Sequence, residues 1–527
     1  LLLSGTASLT YQVVWVRLLG LSMGSTSASI STVLAAFFLG LALGSYLAER
    51  ITRNRIDNLT VYIVLEIIIG VSGLLLLPAL LNLDHLMAQF PQYGSSLGFK
   101  FAITVGLLII PTICMGATFP VMASILIRQK HEVGLRVGQL YSLNTAGAVL
   151  GAALAGFFFI PNWGLDGAVY IAVSLNALIV IVGLKLNKKI KLPPLDPEGE
   201  GLTLQEKSRP ALIEEAPLRR RALLVLFGTG FASIAIEVGW TKYLSIFTGT
   251  TIYGFAAILT VFLIGIASGS WVIKSYLERM RRPELWMAFG LVLLGFSLLL
   301  TRAGLTAIPP FYQAINHFPV DPSLRHLAKY VIVFLLLFPP TFILGALFPL
   351  NLKLYCGNLL GVRARIGKAY AVNTTALSRI AVVATVLLVF SMNWMLPHID
   401  YKDLISSVQY DSESYAGKKP TFLYLKEGKA GVISMVTYND KHVKLQNNGL
   451  NESFIDLYDD ANVLIVESLL GLIPYLLHED PKKAFIVGFG GGITTRALTF
   501  TKLESIRVVE LEPAVVEAGR AIIKGEI

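Results

Sequence analysis

A cluster of glycines near the end of the chain is the strongest candidate for a binding site. Gly488, Gly490, Gly491 and Gly492 follow an apolar segment typical of a buried strand and precede a segment typical of a helix. Glycines let the backbone turn sharply and approach a ligand, and the first amides of the helix are free to bind it. Glu510 ends the next predicted strand, about 20 residues later, where a carboxylate can accept hydrogen bonds from both ribose hydroxyls. The spacing predicts a nucleoside site; the alternative is a turn that serves only packing.

Five polar residues within apolar segments form a second candidate group. They are Gln12, Arg17, Glu66, Glu237 and Lys242. A charge in lipid costs several kcal/mol unless it is paired or reaches an interface, so such residues point to function. In a transporter, Glu66 and Glu237 would bind a cation or a proton. In the alternative, the two basic side chains extend to the cytoplasmic face and the acids pair with them.

The composition indicates a membrane protein. Apolar residues make up 54% of the 527 residues and charged residues only 15%, which is too few charges for a soluble chain of this length. Apolar runs of roughly 20 residues match the thickness of the bilayer core and must be helical there. Eleven such runs are present, at 4–23, 30–48, 60–80, 102–127, 140–160, 166–185, 222–245, 252–273, 285–301, 329–350 and 370–394.

The membrane part of the chain is duplicated. Residues of the same or similar type recur at a constant separation of 225 positions in one stretch and 229 in another. Apolar composition alone does not keep Gly, Trp, Pro and Asn in register, so we infer a repeated helical bundle. Gly40, Gly44 and Ser45 return as Gly265, Gly269 and Ser270, and Gly116 returns as Gly345.

Basic residues gather in alternate loops of both copies and between them, and the chain carries a net charge of +10. The positive-inside rule places these loops in the cytoplasm, which predicts a multi-pass protein of the bacterial inner membrane. The charges form no continuous stripe, so we expect no nucleic acid partner. We also expect the tail to be cytoplasmic. Eleven spans would place it outside, so either one span is re-entrant or the chain has lost its twelfth.

The fold class is therefore a polytopic α-helical bundle of two direct repeats, followed by a small β domain and an incomplete Rossmann-like α/β domain. The predicted β-α-β-α order of the last 45 residues supports the Rossmann-like part. The predicted divisions are a first repeat at 1–185, a cytoplasmic linker at 186–221, a second repeat at 222–396, a linker with the small β domain at 397–458, and the nucleoside-binding part at 459–527.

The tail resembles the front part of the spermidine synthases, the polyamine aminopropyltransferases. The likeness rests on the segment from His478 to Gly492 and on Val508-Val-Glu-Leu-Glu-Pro513. The duplicated bundle, with Trp15-Val-Arg17 and Tyr141-Ser-Leu-Asn-Thr145, is similar to the membrane-spanning version of that family. The resemblance covers most of the chain.

The resemblance implies a transferase of polyamine biosynthesis. It would move an aminopropyl group from decarboxylated S-adenosylmethionine, a co-substrate rather than a bound cofactor, to a small amine such as putrescine, without a metal. The glycines of the loop and Glu510 would bind the donor, and Glu467 loosely matches a ligand-contacting position. Gly491 replaces an aspartate of the family, and the position of the catalytic aspartate falls beyond the last residue, so no catalytic residue is named.

Two other functions stay open at this point. The first is a multi-span transporter of an organic cation whose tail binds a nucleoside without catalysis. The second is a membrane-bound S-adenosylmethionine-dependent methyltransferase, which the glycine at position 491 permits. In each case the lipid bilayer and a small molecule are the expected partners, and a homo-oligomer is left open.

Overall fold

The computed structural model describes thirteen continuous segments and four separate residues. They are residues 1–23, 27–53, 58–89, 96–126, 133–189, 211–248, 252–277, 282–316, 322–356, 421–428, 431–437, 442–456 and 465–523, with 279, 280, 369 and 372.

The membrane part consists of helices. They are α1 (Leu2–Met23), α2 (Ser27–Arg53), α3 (Asn58–Leu81), the short α4 (Leu83–Ala88), α5 (Leu97–Leu126), α6 (Val133–Leu154), α7 (Ile160–Lys189), α8 (Ala211–Thr248), α9 (Ile252–Leu277), α10 (Pro283–Asn316) and α11 (Pro322–Cys356). A π-helical turn, Ala155–Phe159, joins α6 to α7, and Gly164 kinks α7 with a φ of 71°. We call α1–α7 the first half and α8–α11 the second half.

Ten of the eleven predicted spans coincide with these helices, and the run at 370–394 lies outside the described residues except for position 372. Seven helical stretches among the described residues are long and apolar enough to cross a bilayer, one being the continuous stretch from Gly138 to Asn187. The polytopic helical bundle predicted from composition is therefore confirmed. The helix α8 begins at Ala211, so it includes the last 11 residues of the predicted linker, 211–221.

Small residues hold the helices of each half at close range. In the first half, Gly40 and Gly44 of α2 face Thr112 and Ile113 of α5, and a Cβ on either glycine would collide with them. Gly116 of α5 in turn faces the backbone of α2. Glycine removes the side chain that would separate two helix backbones, which is how membrane helices pack most tightly.

The second half repeats this contact between α9 and α11. Gly265, Gly269 and Gly345 occupy the equivalent close approaches. One serine hydrogen bond joins the two helices of each pair. Ser45 Oγ donates to the Gly116 carbonyl at 2.8 Å, and Ser270 Oγ donates to the Gly345 carbonyl at 2.7 Å. The duplication seen in the sequence thus reproduces one helix–helix contact twice.

The tail contains an antiparallel sheet of four strands in sequential order. Its strands are β1 (Thr421–Glu427), β2 (Val432–Thr437), β3 (His442–Asn447) and β4 (Leu450–Asp456). The sequence predicts short strands at 421–425, 431–437 and 441–445, which correspond to β1, β2 and β3, whereas β4 was not predicted. Asn448 and Gly449 connect β3 to β4 with φ values of 51° and 82°, the left-handed pair that a two-residue hairpin requires.

A β-α-β-α unit follows the sheet. It comprises α12 (Ile465–Leu477), β5 (Lys483–Val487), α13 (Ile493–Thr499), β6 (Ser505–Val509) and α14 (Pro513–Ile523), and β5 pairs with β6 in parallel. Two parallel strands are too few to establish a Rossmann-like domain. That part of the predicted fold class therefore lacks support here.

The four-stranded sheet packs on different partners with its two faces. Ile433 and Val443 lie in one cluster with Val515 of α14. Val432, whose side chain points the other way, lies in a cluster with residues of α8, α9, α10 and α11. Lys444 of β3 is also buried, and this burial lowers its pKa to about 8. The sheet is thus placed between the helices and the β-α-β-α unit.

The glycine contacts predict a sharp positional dependence of stability. Gly116→Ala should place a methyl group against the α2 backbone and destabilise the protein by about 1–3 kcal/mol, since overpacking forces the helices apart. Thermal unfolding of the purified protein in detergent measures this effect. Gly106→Ala is the matched control, because the same helix leaves open space at Gly106. Equal unfolding temperatures for the two variants would contradict the proposed close approach.

Candidate functional site

Glu66 lies at one end of a hydrogen-bonded chain that links three helices of the first half. Its side chain on α3 is fully buried. Asn176 of α7 donates from Nδ2 to Glu66 Oε2 at 2.7 Å, and Tyr11 of α1 donates from its hydroxyl to Asn176 Oδ1 at 3.0 Å. Because the tyrosine donates to the amide oxygen, the amide nitrogen must face the carboxylate. The chain fixes Oε2 of Glu66 as an acceptor.

The second oxygen of this carboxylate has no such bond. Glu66 Oε1 is buried and has no hydrogen-bond partner among the described residues. Buried polar atoms are nearly always paired, so an unpaired carboxylate oxygen calls for a missing donor. A buried ionisable group in a membrane bundle is by default a functional site.

Aromatic side chains surround the same region. Trp15 stacks on Tyr11 with ring centroids 5.2 Å apart, and Tyr62 precedes Glu66 by one helical turn. Tyr62 also interacts electrostatically with the Glu66 carboxylate. The Trp15 indole nitrogen is buried without a hydrogen-bond partner in the described part of the chain. The Tyr62 hydroxyl makes no hydrogen bond of normal geometry there, but it lies near the Glu66 carboxylate and Ser4, so it is a donor that could reach Glu66 itself. Among the described residues, the Trp15 indole N–H and Glu66 Oε1 are thus the buried donor and acceptor without a bond of normal geometry.

The other polar residues predicted inside the membrane are placed differently. Gln12 is buried on α1, whereas Arg17 is exposed on the same helix. Glu237 is half-buried on α8 in the second half. Lys242 lies one turn further along α8, and its side chain is not among the described ones. Among the four residues of this group whose side chains are described, Glu66 has the smallest exposed fraction.

Sequence analysis did not identify the partners of Glu66. Asn176 is the one Asn or Gln in the predicted span 166–185, which is the signal that could have drawn attention to it. Tyr11 and Tyr62 gave no such signal, because tyrosines are common in membrane helices. Only the packing of α1, α3 and α7 shows that these side chains meet.

The glycine loop of the tail has the conformation that its residues predict. Gly488, Gly490 and Gly492 have φ values of 89°, 53° and 77°, which favour glycine over other residues. A Cβ at Gly488 or Gly490 would meet open space, whereas one at Gly491 would collide with Ser453. A larger side chain would therefore strain the backbone at Gly488, Gly490 and Gly492, and at Gly491 it would collide with Ser453.

Glu510 holds this loop. Its carboxylate accepts hydrogen bonds from the backbone amide of Phe489 at 2.6 Å and from that of Glu512 at 2.9 Å. Partial burial raises the pKa of Glu510, but hydrogen bonds from the backbone amides of four neighbouring residues outweigh it, and the pKa lies below its ordinary value. In this state the carboxylate that was predicted to bind a ribose is bound to its own loop.

Glu467 of α12 is tied to the sheet. Ser453 of β4 contacts both of its carboxylate oxygens, at 3.1 and 3.0 Å. The Thr494 hydroxyl donates to the Glu467 carbonyl at 2.7 Å. Ser453 also lies against Gly491 of the glycine loop. Glu467 and the glycine loop, the two sites predicted in the tail, are therefore adjacent.

Loss of the Glu510 charge should loosen the loop. In Glu510→Gln, amide exchange at Phe489 and Glu512 should accelerate by up to about tenfold, because a charge-assisted hydrogen bond becomes a neutral one. The folded pKa is depressed, so this stabilisation is present above the ordinary carboxyl pKa and is lost as the pH falls through the folded value. Hydrogen exchange read by mass spectrometry at several pH values measures both effects, with the exposed Glu479→Gln as control. Unchanged exchange at neutral pH would disprove the role of Glu510.

Several solved structures resemble this chain at low similarity. The fucose:proton symporter of E. coli is 14% identical, with 74% of this chain and 92% of that chain covered and a TM-score of 0.42. The proton:xylose symporter of E. coli is 14% identical, with 77% and 90% covered and a TM-score of 0.42. A nucleoside transporter is 13% identical, with 75% and 97% covered and a TM-score of 0.38. Similarity at this level says nothing about the substrate, and no curated protein sequence matches the chain.

The family comparison covers far more of the chain than the tail motif does. The sequence model of the Major Facilitator Superfamily matches residues 1–385. The predicted membership of the spermidine synthase family is therefore wrong, and so are the transferase and polyamine biosynthesis functions derived from it. The error arose because a glycine loop with a strand-end acid occurs in many nucleotide-binding proteins, whereas the bundle makes up most of this chain. The protein is a multi-pass membrane protein that acts in a lipid bilayer on a small-molecule substrate, and it belongs to the Major Facilitator Superfamily.

Proposed function

We propose that the protein transports a small organic cation across the bacterial plasma membrane. The observation that carries this proposal is the buried Glu66 carboxylate with one oxygen unpaired among the described residues. An isolated charge in lipid is costly, and a cationic ligand would offset this cost by pairing with it. An uncharged substrate would leave the carboxylate uncompensated.

The aromatic residues support the same class of substrate. Tyr11 and Tyr62 interact electrostatically with the carboxylate, and Trp15 stacks on Tyr11. Aromatic faces attract ammonium groups that have lost their water. The unpaired Glu66 Oε1 can accept a hydrogen bond from an ammonium N–H, while Asn176 keeps the other oxygen in place. An amine fits this combination of acceptor and rings.

For the tail, we propose a non-catalytic nucleoside-binding role in an incomplete Rossmann-like domain. The support is the parallel β5–β6 pair with the glycine loop between β5 and α13, and the open space beside Gly488 and Gly490. A ribose would take Glu510 from the amides that it now accepts. Adenosine or S-adenosylmethionine at high excess should then raise the unfolding temperature of the full-length protein. No shift with either compound would remove the nucleoside-binding role and leave the transport proposal intact.

Uptake measurements test the transport proposal directly. Glu66→Gln keeps the shape of the side chain but removes its charge, so uptake of a labelled amine such as putrescine into proteoliposomes should fall about tenfold or more, equivalent to at least 1.4 kcal/mol of lost substrate interaction. Tyr11→Phe should lower uptake less, because it removes only the bond that orients Asn176.

The matched control is Asp166→Asn, which neutralises an exposed carboxylate of the same half and should leave uptake unchanged. A panel of labelled amines and neutral sugars identifies the substrate class. Transport of a neutral sugar that is insensitive to Glu66→Gln, together with no uptake of any amine, would refute the proposed cation specificity.

A further inference from the structure

The connection between α9 and α10 carries exposed aromatic side chains on both sides. Trp271 and Tyr276 lie in the last two turns of α9, and Trp286 and Phe289 lie in the first two turns of α10. Each of the four exposes more than half of its surface. Trp286 also packs edge-on against Phe289, with ring centroids 6.3 Å apart. Because Trp and Tyr gather where a membrane helix leaves the hydrocarbon for the headgroups, this end of the two helices lies at a membrane surface.

Basic residues accompany these rings. Between positions 271 and 289 the sequence has four basic residues and two acidic ones. Arg279 and Arg282 are exposed, and neither forms an ion pair with another described residue. Lys274 is buried, with its ammonium over the Trp271 ring. The positive-inside rule assigns this end to the cytoplasm, where the leaflet surface is negatively charged.

Each exposed arginine lies close to an exposed ring. The Arg279 amide donates to the Tyr276 carbonyl at 3.0 Å, and the Trp286 amide donates to the Arg282 carbonyl at 3.4 Å. Each arginine is thus one helical turn from its ring, or about 5 Å along the axis. A guanidinium at headgroup level therefore has a ring directly beneath it, on the side of the acyl chains. We call Tyr276, Arg279, Arg282 and Trp286 the α9–α10 patch.

The patch is held in place by α11. Leu277 at the end of α9 and Met287 of α10 lie in one apolar cluster with Leu347 of α11, and Met280 packs against that cluster. The Lys353 ammonium of α11 donates to the carbonyl of Leu277. Since both helix ends are fixed, a ligand of the patch loses little binding energy to ordering it.

We propose that the α9–α10 patch binds the headgroup of an anionic phospholipid from the cytoplasmic leaflet. The two guanidinium groups donate charge-assisted hydrogen bonds to the phosphate oxygens, and the acyl chains of the same lipid lie along the exposed rings. A zwitterionic lipid offers the same chains and the same phosphate, but its own ammonium cancels the charge that the arginines attract. The site is therefore selective for net negative charge. It belongs to the second half and is independent of which substrate the protein carries.

Fluorescence quenching by brominated lipids tests the site. The protein is reconstituted into phosphatidylcholine bilayers that contain a rising fraction of phosphatidylglycerol, and one of the two lipids carries bromine in its acyl chains. The difference between wild type and Trp286→Phe isolates the emission of Trp286. We expect brominated phosphatidylglycerol to quench this emission more than its share of the bilayer predicts, because the lipid is enriched at the patch.

A charge substitution and a matched control locate the preference. Arg282→Gln should lower the preference for phosphatidylglycerol about fivefold, since each basic residue at the surface strengthens the attraction to anionic lipids. The control is Arg221→Gln, which removes an exposed arginine in the first part of α8, also on the basic side, and should leave the quenching of Trp286 unchanged. An equal loss in both variants, or no preference in the wild type, would overturn the proposal.

Two other occupants give different results. Inorganic phosphate should not displace the brominated lipid beyond the effect of sodium chloride at equal ionic strength, and displacement by phosphate alone would mean a site for the free anion. If Arg282→Gln changes the mass of the protein measured by light scattering but keeps the lipid preference, the patch is an interface between two copies of the chain. Either result contradicts the proposal. None of these measurements depends on uptake, so failure here is distinct from failure of the transport proposal.

Discussion

The absence of hydrogen-bond partners in the bilayer core is the constraint on which this structure depends. Every backbone amide must be paired within a helix, and helices can then associate only through shape and a few polar bonds. Gly40, Gly44 and Gly116 in one half, and their equivalents in the other, provide the shape. The hydrogen bonds from serine hydroxyls to glycine carbonyls also orient the paired helices relative to each other. Tight packing of α2 on α5 and of α9 on α11 gives each half a firm frame.

The same constraint explains why Glu66 stands out. Backbone groups are satisfied by the helices, so a buried carboxylate must find partners among side chains or ligands. Asn176 and Tyr11 provide for one oxygen and leave the other without a partner among the described residues. The sequence identifies Glu66 because a charge within an apolar run is conspicuous. It does not identify Asn176 and Tyr11, because their role depends on how α1, α3 and α7 pack.

Other differences between prediction and structure have equally local causes. Strand β4 was missed because Asn451, Glu452 and Ser453 interrupt its apolar pattern, although the Asn448-Gly449 pair before it is a strong hairpin signal. The repeated glycines were recognised because they keep a constant separation. The family was misassigned because the glycine loop was given more weight than the bundle. Fold class was thus accessible from periodicity and repeats, whereas substrate chemistry required contacts between distant segments.

The two proposed sites belong to different moving parts. The chain from Tyr11 through Asn176 to Glu66 lies wholly within the first half. The apolar contacts of the tail sheet with the described helices lie wholly within the second half. A rocking motion changes the interface between the halves but keeps the contacts inside each half, so both arrangements can persist through a transport cycle. The bonds that orient Glu66 are directional and need the firm frame of one half. The tail is held by apolar packing, which is non-directional and tolerates small shifts at the helix ends.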